Sequence, residues 1–429
     1  MDLMKRIYLL SVTLFFIVGC TEPRKNTNSQ VLSSLHQLVE ELNYFELQGV
    51  YLKQKGKLTE KHQLYFEAIL ANAFNQPERS NQLIDTFFSD SIENDTLAKQ
   101  LLQRRLTNHI HLSEYAEALH VNEMLRGQYT SLLDSGEVED LDNTHKIWRA
   151  LKTAPPQRIL KNENVILPIT KDKAGLSTIE TKCGDTTRNF VFDTGANFSV
   201  IQKSEAEAMG MRFIPAGFNV EAATGLKVKS DLAVAEQLEL GSIVLKNVVF
   251  LVFEDAALSF PSFDYEIKGI IGFPVIRALE EIQLYKNGQI RIPKEPTIYN
   301  LDNLALDEYM PIVKGGFQGE NLLFHFDTGA QKTSLFYNFF QKYKREIEAK
   351  YKKETLKVSS AGGEVGFEGY VIDDFILKIG DAQARLDSLQ LSISQIGQVD
   401  RMDGNLGQDF IQQFDTMIIS FKFASILFQ

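Results

Sequence analysis

The tetrapeptide Asp-Thr-Gly-Ala occurs twice in this chain, at Asp193–Ala196 and at Asp327–Ala330, each time directly after a Phe. Each copy follows an apolar run, Phe190-Val191 or Leu322-Leu323-Phe324, and each Asp is followed six residues on by a hydroxyl, Ser199 or Thr333. Two carboxylates in matching contexts point to one site assembled from two similar halves. Like charges in close contact cannot both ionise, so two such Asp side chains share a proton and can work on water as an acid and a base. This chemistry needs neither metal nor cofactor. A single Asp-Thr-Gly would read more simply as a turn whose Asp caps its own backbone.

The repeat extends past the motif. Lys268-Gly269-Ile270-Ile271-Gly272 is answered at nearly the same offset by Asp403-Gly404-Asn405-Leu406-Gly407, and Phe273-Pro274-Val275-Ile276 by Gln408-Asp409-Phe410-Ile411. Each half closes with a strand-like pair, Ile282–Ile292 and Thr416–Phe428. Strands are also expected at Val165–Ile169, Phe190–Phe192, Val248–Phe253 and Ile282–Tyr285, short runs bounded by Gly, Asn and Asp. A linker is expected over about Pro293 to Met310.

On these residues the region from about Leu160 to Gln429 resembles the retropepsin-like and pepsin-like aspartic peptidases. That family repeats a hydrophobic Asp-Thr/Ser-Gly loop, a flap hairpin and a hydrophobic-hydrophobic-Gly motif in each lobe. The resemblance implies an all-β, two-lobed, acid-protease-like (retropepsin-like) barrel, with lobes over 160–295 and 296–429. It implies that Asp193 and Asp327 flank a catalytic water and hydrolyse peptide bonds. Thr194 and Thr328 would hydrogen-bond across the interface. Gly195 and Gly329 are expected to permit the tight turn that brings each Asp to the interface. Flaps would fall at Ala222-Ala223-Thr224-Gly225 and Ser360-Ala361-Gly362-Gly363, making Thr224, Gly225, Ser360 and Gly362 candidates for touching peptide. Two flaps is the retropepsin pattern, here fused into one chain, so the lobes are expected to pair within the chain. Asn405 departs from the apolar pattern of the second lobe. Ala196 and Ala330 stand where acid-working members often carry Ser or Thr, whose hydroxyl would lower the dyad's pKa. Without it, activity nearer neutral pH is expected.

The first twenty residues read as an address. Lys5 and Arg6 precede an apolar stretch, Ile7 to Val18, too short to span a bilayer comfortably. The ending Ile17-Val18-Gly19-Cys20 resembles a bacterial lipobox. It implies a signal peptide over 1–19 and lipidation of Cys20, with an ordinary secretory signal as the other reading. A polar tether over 20–30 would then hold the protein to the cell envelope, at the periplasmic face or the outer membrane. With Cys20 lipidated, Cys183 has no second cysteine to pair with and reads as a bystander thiol rather than a nucleophile.

From 31 to 152 the pattern is helical, with Leu35, Leu38, Val39, Leu42 and Phe45 at three- and four-residue steps. Gly49, Gly56, Asn75-Gln76-Pro77 and Ser89–Asn94 are expected to be turns. Leu70-Ala71-Asn72 recurs as Leu106-Thr107-Asn108, close to the period of about 34 residues of tetratricopeptide-type hairpins. A generic helical bundle explains the spacing equally well. Such hairpins would offer a surface to a protein partner. Asn338–Lys357 is expected to be a basic helix with a solvated face, and His325 a packed strand residue.

The 429-residue chain is 44% hydrophobic and 24% charged, an ordinary globular balance, and its net charge of −11 argues against nucleic-acid binding. No His-Glu-x-x-His spacing, Gly-x-Ser-x-Gly elbow or phosphate loop is present. Two other functions fit the same sequence: a catalytically silent peptide-binding protein, and a scaffold acting through its helices.

Overall fold

A computed structural model describes residues 27–89, 95–221, 227–261, 264–360, 363–395 and 401–429. The signal-peptide and lipidation readings, including Cys20, lie outside the described residues. The chain divides into an all-helical region that ends at Leu151 and a β-sheet region that begins at Arg158.

The helical region runs α1 (Ser29–Glu40), α2 (Tyr44–Gln54), α3 (Glu60–Ala73), α4 (Pro77–Ser89), α5 (Asp95–His111), α6 (Tyr115–Gln128) and α7 (Ser135–Leu151). Side chains of Asn28, Asn43 and Thr59 cap the orphan N–H groups of the first three helices. Asp134 and Glu137 form a reciprocal capping box on α7. Asn75 takes the left-handed conformation that ends α3, and Pro77 starts α4. Gly49 is no turn: it lies exposed inside α2, which is held by the burial of Tyr44, Phe45, Leu47 and Tyr51. That packing outweighs a glycine penalty of about 1 kcal/mol. Helix α3 opens on a polar turn, Glu60 to Gln63, but from Tyr65 to Ala73 it is buried at every position except Glu67 and forms the centre of the region.

Both lobes of the β region repeat one motif. In the first, the strand Gly269–Ile271 pairs parallel with Thr186–Phe192 and antiparallel with Ser199–Gln202. In the second, Gly404–Leu406 pairs parallel with Glu320–Phe326 and antiparallel with Ser334–Leu335. Each lobe then carries a long hairpin, Arg212–Glu221 with Lys227–Leu240 and Glu354–Ser360 with Gly363–Ile372. The lobes are joined through a shared sheet in which Glu281–Tyr285 of the first pairs with Thr416–Ser420 of the second. The two closing pairs expected from sequence are therefore each other's neighbours.

Two boundaries move. The fully buried strand Leu304–Asp307 falls inside the stretch read as linker, pairing with Met310–Phe317. The basic helix spans Tyr337–Lys350 only, and Glu354–Ser360 is already strand. Nor is its basic face wholly solvated: Lys342 reaches the buried Asp403 carboxylate at 2.7 Å.

The helical region shares its cores with the sheets. Leu35, Tyr44, Phe66, Ile69 and Leu101 pack in one cluster with Ile312, Leu323 and Met402 of the second lobe. Tyr115, Ile147, Trp148 and Leu151 pack with Val191, Val200, Phe218 and Val249 of the first. At the seam, Tyr44 Oη donates to Asp307 at 3.0 Å and accepts from Arg104 at 2.9 Å. The imidazole of His111, kept neutral by burial, donates to the Glu308 carbonyl at 2.8 Å. A fragment of residues 160–429 alone would expose these apolar faces. It is expected to bind a hydrophobic dye and self-associate, whereas the chain from residue 21 stays monomeric by size-exclusion chromatography.

Candidate active site

The two Asp-Thr-Gly loops meet in the β region, each following the buried end of a strand that closes on Phe192 or Phe326. The grip between them is reciprocal. The Thr194 N–H donates to Thr328 Oγ1 and the Thr328 N–H to Thr194 Oγ1, both at 3.0 Å. Each hydroxyl then donates onward to the opposite strand, Thr194 Oγ1 to the Phe326 carbonyl and Thr328 Oγ1 to the Phe192 carbonyl, both at 2.9 Å. Both threonines are essentially fully buried.

Inside this grip the carboxyls of Asp193 and Asp327 are hydrogen-bonded neighbours, partly open to the surface. Asp193 Oδ1 accepts from the Gly195 N–H and Asp327 Oδ1 from the Gly329 N–H, both at 2.8 Å. Burial first, then the facing Asp327 charge and the hydrogen bond with it, push the Asp193 carboxyl well above the ordinary carboxylate range.

The glycines serve a purpose other than the one expected. Neither Gly195 nor Gly329 has a positive φ. A methyl group on Gly195 would lie 2.6 Å from the Asp327 carboxyl carbon, and one on Gly329 would collide equally with Asp193. Glycine is required here because each loop backbone packs directly against the carboxyl of the other loop.

The remaining repeated residues brace the loops. Ser199 Oγ accepts from the Gly272 N–H and Thr333 Oγ1 from the Gly407 N–H, both at 3.1 Å. The Asp193 N–H donates to the Ile271 carbonyl and the Asp327 N–H to the Leu406 carbonyl. The Ala196 and Ala330 carbonyls accept from the N–H groups of Phe273 and Gln408. His325 is buried, edge-on to Phe336, and pushed down to about 4 by burial, so it is a neutral packing residue. Cys183 is a buried free thiol.

Of the flap candidates, Thr224, Gly225 and Gly362 lie outside the described residues, and Ser360 ends the strand Glu354–Ser360. The first hairpin is held by the helical region. The Asn143 side chain pairs with both backbone groups of Asn219, donating at 2.6 Å and accepting at 2.9 Å. Glu139 meets Lys227 on the returning strand. From the same helix Trp148 packs on Phe198, next to the first motif loop.

Two residues escaped the sequence reading. Gln408, buried after the second repeat, donates from Nε2 to the Thr328 carbonyl at 2.8 Å and accepts from Lys171 of the first lobe at 3.2 Å. Asn405 donates from Nδ2 to Asp327 Oδ2 at 3.1 Å. Its departure from the apolar pattern was the available signal.

Residues 179–275 match the model of a family described as aspartyl protease. The match takes in the first Asp-Thr-Gly loop, the first hairpin and Gly269–Gly272, and leaves the second lobe to its geometry. No curated protein matches the chain. The chain thus combines an all-helical region with an aspartyl-protease-like β domain.

The threonine grip gives a stability test. Thr328→Val removes an acceptor from Thr194 N–H and a donor to the Phe192 carbonyl. Unfolding free energy by urea titration is expected to fall by about 2–6 kcal/mol, from two buried polar groups at about 1–3 kcal/mol each. The Thr194→Val, Thr328→Val pair is expected to cost less than the sum of the single changes, since both remove parts of one network.

Proposed function

We propose that this protein is an aspartic endopeptidase that hydrolyses peptide bonds with a water activated between Asp193 and Asp327. The observation that carries this reading is the pair of hydrogen-bonded carboxyls gripped by reciprocal threonines within one chain. The raised Asp193 keeps its proton and donates a hydrogen bond to the scissile carbonyl. Asp327, ionised, takes a proton from water as the oxygen attacks the carbonyl carbon. The tetrahedral intermediate then collapses, the C–N bond breaks, and the proton on Asp327 passes to the leaving nitrogen. The two hairpins would cover a peptide laid across the dyad, so the substrate is an extended peptide or protein segment. Because both lobes belong to one chain, no homodimer is needed.

In the same reading residues 1–19 are a signal peptide and Cys20 a lipid anchor, placing the enzyme on the cell envelope. The helices α3 to α6 are tetratricopeptide-like hairpins available to a protein partner, and α7 supports the first hairpin.

The test is cleavage of a mixed peptide library by the chain from residue 21, beside Asp193→Asn and Asp327→Asn. Both substitutions are expected to abolish cleavage while leaving the circular dichroism unchanged. A wild-type chain that binds peptides without cutting them would instead identify a silent binding protein. Gly329→Ala is expected to lower the rate about 10²-fold by displacing Asp193, a cost typical of a misplacement of about 1 Å.

The pH profile follows from the sign of the Asp193 shift. Activity requires one proton on the dyad. It is lost on the acid side when both carboxyls are protonated, and on the basic side as Asp193 ionises through its raised pKa. The optimum is expected above about pH 4, where an unperturbed carboxyl titrates. An optimum below that would overturn the assignment of Asp193 as the proton holder.

A further inference from the structure

Asn405 lies at the middle of the strand Gly404–Leu406, level with His325 on one side and Ser334 on the other. Its neighbours Gly404 and Leu406 are buried, while Asn405 is partly exposed at the dyad. Through its amide, Asp327 receives a third donor. Oδ2 accepts from Asn405 Nδ2 at 3.1 Å, and Oδ1 from the N–H groups of Gly329 at 2.8 Å and Ala330 at 3.1 Å.

The first lobe has no counterpart. Asp193 is served by the backbone N–H groups of Gly195 and Ala196. The residue matching Asn405 is Ile270, in the equivalent register against Val191 and Val200. Its aliphatic side chain donates nothing. The dyad is therefore symmetric in its backbone and asymmetric in one side chain.

An amide NH2 group only donates, and a donor to a carboxyl favours the ionised form. One proton can sit on the dyad in two ways. With the proton on Asp193, the three donors on Asp327 all serve an anion, and charge-assisted hydrogen bonds are the stronger kind. With the proton on Asp327, the Asn405 amide serves a neutral group, and Asp193 carries its charge with no side-chain donor besides the Asp327 carboxyl that shares the proton.

We propose that Asn405 is a positioning residue that fixes the shared proton on Asp193 and the charge on Asp327, so that Asp327 is always the group that takes the proton from water. This rests on the peptidase reading above. It also assigns fixed, unequal roles to two loops of nearly identical sequence.

Few other charges compete for this control among the described residues. Asp193 faces Asp327 from the opposite loop. His325, on the strand that leads into Asp327, is neutral above about pH 4. Lys171 approaches from the strand Val165–Lys171 but is engaged by Ser177 and Gln408. Asp409 is tied to Thr333 at 2.6 Å, and Lys332 of the same loop is exposed.

The experiment compares the wild-type chain with Asn405→Ile, which copies the first lobe, Asn405→Ala, and Asn405→Gln, which keeps an amide. Two readouts are taken: the carboxyl carbon titration of protein labelled with 13C-aspartate, with the dyad signals assigned from Asp193→Asn and Asp327→Asn, and the pH dependence of kcat/KM. In Asn405→Ile and Asn405→Ala the lower apparent pKa of the dyad and the acid limb of the profile are expected to move up together by about one pH unit, a tenfold change in proton affinity. Asn405→Gln is expected to retain part of the wild-type position. An unmoved dyad titration in a folded Ile or Ala variant overturns the inference, whatever happens to the rate. Because the titration does not depend on turnover, a shifted dyad in a chain that cuts no peptide upholds the asymmetry and removes only the peptidase reading.

Discussion

Four buried backbone groups, two N–H and two C=O, are satisfied at the lobe contact by the hydroxyls of just two threonines. This exchange sets the separation of the motif loops, and much else follows from it. Loops held this close leave no room for a Cβ at Gly195 or Gly329. They force two carboxyls into hydrogen-bond contact in a partly desolvated place. There, like-charge repulsion and burial act in the same direction on Asp193. A looser contact would let water separate the carboxyls, and they would titrate as two ordinary acids.

The supports behind the two halves differ more than their motifs do. The first hairpin leans on α7 through Asn143 and Glu139, and Trp148 of that helix reaches Phe198 beside the first loop. The second hairpin is backed within its own lobe by the helix Tyr337–Lys350, where Phe340 stacks on Tyr370 at 5.9 Å. That helix is fixed in turn by Lys342 on the buried Asp403, which also accepts from the Leu323 N–H. Two halves with matching motifs thus sit in two different environments. The single amide at Asn405 carries the same asymmetry to the dyad itself. The helical region belongs to this arrangement physically, because it completes hydrophobic cores of both lobes.

Much of the site was legible in the chain because its parts are local and repeated. A loop of Asp, Thr and Gly after an apolar strand carries its own geometry, and finding it twice, with Gly269–Gly272 and Gly404–Gly407 behind, identifies two halves of one fold. What misled was also local. Gly49 looked like a breaker because glycine disfavours helices, yet tertiary packing of its neighbours decides the matter. Leu304–Asp307 looked like linker because a four-residue strand has too little pattern to stand out among polar neighbours.

By itself, then, the sequence determined that two equivalent carboxylate loops exist, that strands surround them and that helices precede them, since each depends on residue type and short-range spacing. The tertiary structure alone decided why the motif glycines are glycines, that α7 braces the first hairpin, and that Asn405 and Gln408 reach the site. These depend on distances between segments remote in the chain. Asn405 shows the difference most plainly. In the sequence it is a polar residue spoiling an apolar motif, and only the pairing of its strand beside Glu320–Phe326 turns its amide toward Asp327.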